Sequence, residues 1–190
     1  MDNLYMFAIM PPPELATQIN KERQVFAENY NCVKALKPPV HITLYDPFKN
    51  SDAFEEEIIG MQQWAGNQAP FNVGLKNYNF FKNPVSPVVY IEVVKNDNLT
   101  LLHKRFVIEL RKYLDIESNS NNKYTPHITI GYRDVPPALF PDIVKNYSKR
   151  PFNAVFEVNS IYLWKHDGKN WQIQNEFKLG KAEHVQTALF

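Results

Sequence analysis

HITL at residues 41–44 and HITI at residues 127–130 are two copies of one pattern, and this pair decides the fold. The histidine and the threonine of each copy are two residues apart: His41 with Thr43, and His127 with Thr129. Because alternate side chains of a β-strand point to the same face, each histidine lies on one face with its threonine. The repetition predicts two equivalent strands that together enclose a phosphate.

These four side chains are the groups that a phosphodiester displacement needs. One histidine activates the attacking oxygen as a base, the other protonates the leaving oxygen as an acid, and the hydroxyls donate to the nonbridging oxygens. Histidine suits both roles because its unperturbed pKa, about 6.5, allows one ring to be neutral and the other protonated near neutral pH. The set requires no metal ion, so we predict a catalytic site without one.

A single His-x-Thr also has a simpler interpretation. Threonine is common in sheets, and a half-buried histidine is often only structural. The second copy favours function, since each copy is apolar at its two other positions and comes shortly after a proline, Pro39 or Pro126.

The two motifs lie within a longer internal repeat. Pro-Phe-Asn follows each motif, and its copies are 81 residues apart (70 to 151), close to the 86 residues between the histidines (41 to 127). We therefore predict one domain over residues 1–190, built from repeats at about 1–82 and 84–180, with a C-terminal tail from about 180.

Each repeat is expected to contain a strand, a helix, the histidine strand, a second helix and a further strand. In the first repeat the four elements around the histidine strand are predicted at 4–10, 14–30, 51–63 (with Ser51 as N-cap) and 71–81. In the second repeat they are predicted at 88–94, 98–114, 137–147 and 152–164, followed by a turn and a last strand at 171–179.

Charge and composition restrict the partners. The chain has 21 Lys and Arg against 20 Asp and Glu, a net charge of +1, so no overall positive field attracts duplex DNA. The single cysteine, Cys32, excludes an internal disulfide, and the apolar run at 4–10 is too short for a signal peptide or a membrane span. We expect a cytoplasmic monomer that does not bind membranes.

With these motifs the chain resembles the two-histidine (2H) phosphoesterase superfamily, which includes 2′,5′ RNA ligase-like proteins and cyclic nucleotide phosphodiesterases. The hallmark of that family is a pair of His-x-Thr/Ser motifs flanked by hydrophobic residues, matched here at 41–44 and 127–130. The opening sequence FAIMPP at 7–12 is also similar to the family's first strand and proline-led helix. The similarity covers nearly the whole chain.

The resemblance implies an α+β, bilobal, duplicated fold with pseudo-twofold symmetry, in which two antiparallel sheets face a central cleft and helices pack on the outside. It implies that His41 and His127 act as acid and base, in either order, and that Thr43 and Thr129 bind phosphate oxygens. The expected reaction is cleavage or reversible formation of 2′-linked phosphodiesters, typically by opening a 2′,3′-cyclic phosphate on a nucleotide or an RNA end. No cofactor is implied.

Two tyrosines near the motifs are candidates for stacking on a base. Tyr45 shares a face with His41 and Thr43 by strand parity. Tyr132 falls on the face opposite to that of His127 unless the intervening glycine bends the strand. Core packing is the alternative role for such aromatic side chains.

Arg133, six residues after His127, is a third candidate for substrate binding. Its guanidinium can pair with a phosphate, although a salt bridge with Asp134 or a surface carboxylate is an equal alternative. The remaining histidines have no Asp, Glu or Cys at ligand spacing and are not expected to bind a metal ion: His103, His166 and His184.

Two functions remain open on the sequence. The first is a metal-independent phosphodiesterase, and the second is a noncatalytic protein that binds nucleotides or RNA ends in the same cleft. Intact histidines in both motifs favour the enzyme, because a binding protein does not need both proton-transfer groups.

Overall fold

The computed structural model describes residues 3–114 and 124–180. This part of the chain forms eight strands and five α-helices: β1 (Asn3–Ile9), α1 (Pro13–Tyr30), β2 (Ile42–Asn50), α2 (Ala53–Glu57), α3 (Met61–Gly66), β3 (Phe71–Phe81), β4 (Val88–Val93), α4 (Asp97–Leu110), β5 (His127–Gly131), α5 (Phe140–Tyr147), β6 (Asn153–Val158), β7 (Ser160–His166) and β8 (Trp171–Lys178). The predicted tail beyond residue 180 lies outside the described residues. No helix within the described ranges has the length and apolar character that crossing a membrane requires.

The strands form two four-stranded sheets in which every pair is antiparallel. The first sheet has the order β2-β1-β7-β8 and the second has the order β5-β4-β3-β6. The two motif strands, β2 and β5, are therefore edge strands at corresponding positions of the two sheets. This arrangement confirms the predicted α+β fold with two antiparallel sheets.

The same pairing irregularity lies at the last residue of each motif. In the first sheet Thr43 pairs with Ala8 of β1, and Tyr45 pairs with Phe7, the residue just before Ala8. Leu44 therefore has no partner and is an extra residue of β2. In the second sheet Tyr90 pairs with Thr129 and Val89 with Gly131, so Ile130 is an extra residue of β5. A β-bulge of this kind bends the strand and redirects the side chains that follow it. The matching bulges are the local expression of the pseudo-twofold symmetry.

Helix α1 lies against the second sheet, and helix α4 contacts both sheets. Helix α1 follows β1 along the chain but packs against β5, where its buried Phe26 ring fills the space above Gly131. Helix α4 follows β4, yet its Phe106 ring lies edge-on at 4.9 Å from Phe7 of the first sheet. Both contacts belong to one continuous apolar core that lies between helices and sheets.

Two predicted elements are divided in the structure. The helix predicted at 51–63 is interrupted by a 3₁₀ turn at Ile58–Gly60, and the side chain of Ser51 does not cap α2. A Cβ at Gly60 would lie 2.8 Å from the Tyr113 hydroxyl, so a larger residue there requires the tyrosine side chain to shift. The strand predicted at 152–164 is interrupted at Asn159, where the chain leaves the second sheet as β6 and enters the first as β7.

Candidate active site

The two motif histidines have the same local geometry. Nδ1 of His41 lies 2.8 Å from the carbonyl oxygen of Pro39, and Nδ1 of His127 lies 2.8 Å from the carbonyl oxygen of Thr125. Because a carbonyl oxygen only accepts hydrogen bonds, Nδ1 carries the proton in both rings. Nε2 of each neutral ring is thus left with its lone pair, which makes it the nitrogen that accepts or returns a proton.

Aromatic side chains surround both rings. His41 contacts the ring of Trp164 on β7 edge-on, at 4.9 Å between centroids. His127 lies 5.0 Å from both Phe81 and Tyr90, with the Phe81 ring perpendicular to it. These neighbours come from other strands, so only the pairing register could have identified them from the sequence.

Burial and nearby charges set the protonation of the histidines. The pKa of His41 is lowered to about 4, mainly by burial and with smaller contributions from the positive charges of Arg23 and His127, while the hydrogen bond to Pro39 opposes the shift. Burial also lowers the pKa of His127, but the negative charge of Asp46 opposes this shift. Both rings are therefore neutral near pH 7 in the free protein. Strands β2 and β5, next to which the two rings lie, are in contact with one another.

The threonines of the motifs lie in β2 and β5, two residues after their histidines. Thr43 pairs with Ala8 and Thr129 pairs with Tyr90, and both side chains are half-buried. Neither hydroxyl forms a hydrogen bond with any residue of the described ranges. Both hydroxyls can therefore donate to an anion held between the motifs.

Arg23 of α1 is a buried charge beside the motifs, with 1% of its surface exposed. Its Nε donates to the carbonyl oxygen of Thr129 at 2.9 Å, and its Nη1 donates to the carbonyl oxygen of Pro38 at 3.0 Å. It forms no ion pair with a carboxylate in the described residues. Burial lowers the pKa of Arg23 to about 10, so the side chain still carries its charge at neutral pH.

Tyr124 makes the corresponding contact with the first motif. Its hydroxyl donates to the carbonyl oxygen of Thr43 at 3.2 Å, and its ring stacks at 3.7 Å on His103 of α4. Burial raises the pKa of Tyr124, with a smaller contribution from Asp46, so the hydroxyl remains a donor at neutral pH.

One known family matches the chain over most of its length. The sequence profile of the 2′-5′ RNA ligase superfamily matches residues 11–170. The chain belongs to this superfamily. The resemblance to two-histidine phosphoesterases is thereby confirmed. Membership of this superfamily makes the protein a phosphoesterase.

Relatives in this superfamily match the chain over nearly its full length. A protein of Geobacillus kaustophilus named "Putative phosphoesterase GK0864" is 28% identical over 186 residues, covering 95% of this chain and 99% of the relative. A "Putative phosphoesterase" of Bacillus pumilus is 25% identical over 180 residues, covering 93% of this chain and 98% of the relative.

Solved structures share the fold at low sequence identity. A Thermus thermophilus protein, TT0787, matches with a TM-score of 0.70 and 18% identity, covering 95% of this chain and all of that one. LigT of E. coli in complex with 3′-AMP matches with a TM-score of 0.66 and 18% identity, covering 94% of this chain and 99% of LigT.

The tyrosine predicted to share the face of the first motif does not do so. The bulge at Leu44 pairs Tyr45 with Phe7, and its ring packs edge-on against Phe48 at 5.7 Å, at the border of the core. Strand parity failed here because one extra residue reverses every later position. A contact between Tyr45 and substrate stays a prediction that this packing does not support.

Tyr132, Arg133 and Asp134 follow the second motif, and the expected ion pair between Arg133 and Asp134 does not form. The Tyr132 side chain is near enough to raise the pKa of Arg23. Arg133 is exposed, has a left-handed backbone (φ 65°), and places its guanidinium 5.3 Å from the Tyr132 ring centroid. Asp134, the proposed partner of Arg133, instead accepts hydrogen bonds from the backbone of Val33 and Lys34. Substrate contacts of Tyr132 and Arg133 stay predictions.

The other histidines and the cysteine lie outside the pair of motifs. His103 stacks on Tyr124, His166 accepts a hydrogen bond from the backbone of Gly168 at 3.1 Å, and His184 is outside the described residues. Cys32 is buried, and burial raises the pKa of its thiol to about 11. Within the described ranges, no three His, Cys, Asp or Glu side chains converge as a metal site.

Proposed function

We propose that this protein is a metal-independent phosphodiesterase that opens 2′,3′-cyclic phosphates, or cleaves and forms 2′-linked phosphodiesters, on nucleotides or RNA ends. The observation that carries the proposal is the matched orientation of His41 and His127. Each ring is held at Nδ1 by a backbone carbonyl two residues upstream, and each has Nε2 left for proton transfer. A phosphorus atom between two such nitrogens has a base on one side and an acid on the other.

His41 is the base and His127 the acid in the hydrolytic direction. Arg23 disfavours a second positive charge on His41, whereas Asp46 favours one on His127. When their environments move the pKa values of two titratable groups apart, the group with the lower pKa acts as the base and the group with the higher pKa acts as the acid. Nε2 of His41 takes a proton from water as the water oxygen bonds to phosphorus. The bond from phosphorus to the ribose oxygen breaks, and that oxygen receives the proton of His127 Nε2.

Thr43 and Thr129 bind the phosphate in this scheme. Their hydroxyls donate to the two nonbridging oxygens and stabilise the charge that builds up during the displacement. The bound anion also raises the pKa of the imidazoles, because an opposite charge nearby favours the protonated form. Substrate binding therefore helps to protonate His127, which burial alone keeps neutral.

The nucleoside is expected to lie along an aromatic face of the first sheet. Trp164, which contacts His41, is surrounded by Met10, Tyr162 and Trp171, all of which are half-buried. Trp164 itself is fully buried, so the base would stack on the half-buried rings of Tyr162 and Trp171, which suit any base because every base has a π-face. LigT, which shares the fold, has been crystallised with 3′-AMP, with phosphate and with ATP. These ligands support a nucleotide as the substrate class.

The test is turnover of nucleoside 2′,3′-cyclic phosphates in the presence of a chelator. We expect His41→Ala and His127→Ala each to lower kcat by about 10²- to 10⁴-fold, the usual contribution of a positioned acid or base. His184→Ala, a histidine outside both motifs, serves as the control with unchanged kcat. Turnover that survives both motif substitutions would rule out the mechanism.

The noncatalytic alternative predicts a different outcome in the same assay. A binding protein would retain 3′-AMP at a measurable Kd without converting any cyclic phosphate. Binding without turnover in the native chain would therefore select this second function.

A further inference from the structure

We propose that Arg23 and Tyr124 are positioning residues that fix the separation of the two motifs. This inference rests on the proposed function, because it concerns how His41 and His127 come to act on one phosphate. We use the name inter-motif bonds for the hydrogen bonds of Arg23 to Pro38 and Thr129 and of Tyr124 to Thr43.

The inter-motif bonds are reciprocal. Pro38 lies three residues before His41, and Arg23 connects its carbonyl to the carbonyl of Thr129, in the other motif, at 3.0 and 2.9 Å. Tyr124 lies three residues before His127, and its hydroxyl reaches the carbonyl of Thr43, in the first motif, at 3.2 Å. The two bonds of Arg23 thus connect the segment before His41 to Thr129, and the bond of Tyr124 connects the segment before His127 to Thr43.

Within residues 3–114 and 124–180, no backbone ladder sets this separation. Strands β2 and β5 belong to different sheets and are the edge strand of each, so each pairs with one neighbour among these residues. They nevertheless lie in contact with one another. The carbonyl groups on the unpaired edges need donors, and the donors here are side chains that span the two motifs.

The chemistry of Arg23 suits this role better than a purely structural one. Burying a guanidinium without a carboxylate partner is costly, and an apolar residue on this face of α1 would avoid that cost. The planar fork of arginine donates in two fixed directions at once, which a lysine cannot do. Its charge also disfavours protonation of His41, the residue that serves as base.

Small changes in separation should have large effects on rate. A misplacement of about 1 Å at a reacting centre costs about 100-fold in rate. We therefore expect Tyr124→Phe, which keeps the ring on His103 and removes only the hydroxyl, to lower kcat by about 10- to 100-fold. Arg23→Lys, which keeps the charge and loses the fork, should do the same, and KM should change by less than about 3-fold in both.

Matched controls come from a second arginine and tyrosine away from the motifs. Tyr78 donates to Glu22 at 2.8 Å and Arg150 binds the same carboxylate at 3.1 Å. Tyr78→Phe and Arg150→Lys alter part-buried hydrogen bonds to Glu22, the neighbour of Arg23 on α1, without touching either motif, so they report the cost of lost stability in this region. If kcat of the Arg23 and Tyr124 variants falls no further than that of these controls at equal Tm, the proposal is wrong.

A binding measurement separates this inference from the proposed function. Titration of the full chain with inorganic phosphate, followed by the NMR signals of both motif imidazoles, needs no turnover. In the native chain both signals should move with one Kd, and in Arg23→Lys or Tyr124→Phe one of the two signals should move less than in the native chain or stop responding, while the Kd changes by less than about 3-fold. Unchanged joint responses in both variants would overturn the positioning role, even if the native chain proved to be noncatalytic.

Discussion

At the residue scale, the site is a set of charges and hydrogen bonds that only partly follows from the sequence. The faces that the motif residues share could be predicted, because a repeated period of two fixes which side chains point the same way, and their acid–base role stays a prediction. Arg23 could have been noticed, since it interrupts the apolar face of α1 between Ile19 and Phe26. Trp164 could not, because its contact with His41 depends on strand pairing between distant segments.

Replacing Asp46 should move the pH profile of catalysis. Its negative charge raises the pKa of His127, so Asp46→Asn should lower that pKa. If His127 is the acid, the alkaline limb of kcat/KM then shifts to lower pH, while the acidic limb, set by His41, stays in place. Asp97→Asn, at the exposed start of α4, is the control. If only the acidic limb shifts, His127 is the base and His41 is the acid.

The neutral state of His41 should also make stability depend on pH. Its folded pKa, about 4, lies below the ordinary value of 6.5, so the unfolded chain binds the proton first as the pH falls. Stability is therefore full above about pH 6.5 and declines towards pH 4, by up to about 3 kcal/mol at about 1.4 kcal/mol per pKa unit. His41→Asn should give a shallower decline in urea unfolding measured at pH 7 and pH 4.5. An unchanged slope would contradict the assignment.

At the element scale, the strands and the long helices followed their sequence patterns closely. The strand predicted at 71–81 has these bounds in the structure, and α1 begins one residue before its prediction. The bulges after the motifs could not be predicted, because HITL and HITI alternate regularly and nothing in them marks Leu44 or Ile130 as extra. This hidden residue is why Tyr45 was expected in the cleft and lies against the core instead.

The bulge of β5 depends on close packing at Gly131. A Cβ at this position would overlap the Phe26 ring, which is fully buried. Gly131→Ala should therefore lower the free energy of unfolding by about 1–3 kcal/mol, as overpacking does, and Phe26→Leu in the same chain should restore part of it. Gly66→Ala, where nothing lies within 4 Å, is the matched control. Chemical denaturation measures all four proteins, and a neutral Gly131→Ala would disprove the packing argument.

At the scale of the whole molecule, the two sheets are interlocked rather than independent. Strand β3 pairs with β4 and β6, and β1 pairs with β7, so each sheet takes strands from both sides of residue 83. The internal repeat predicted two similar units but not this exchange, because periodicity shows which face a strand buries and not which strand it pairs with. The division into repeats at about 1–82 and 84–180 stays a prediction.

Such interlocking predicts a single cooperative unfolding transition. The fragment 1–82 should not fold alone, because its β3 would lose both partners and its Phe7 would lose Phe106. Circular dichroism and amide proton dispersion of the isolated fragment should show an unfolded chain, while the full chain unfolds in one step by either method. A folded, cooperative fragment would show that the first repeat is a domain by itself.

The shared orientation of the two imidazoles has a stereochemical consequence. In the proposed mechanism the two nitrogens lie on opposite sides of one phosphorus atom, which allows a single in-line displacement with no covalent intermediate on the protein. When the hydrolysis is run in ¹⁸O-labelled water, a cyclic phosphate in which one nonbridging oxygen is replaced by sulfur should consequently give a product with inverted configuration at phosphorus. Ligation, which runs the same path backwards, should invert it again.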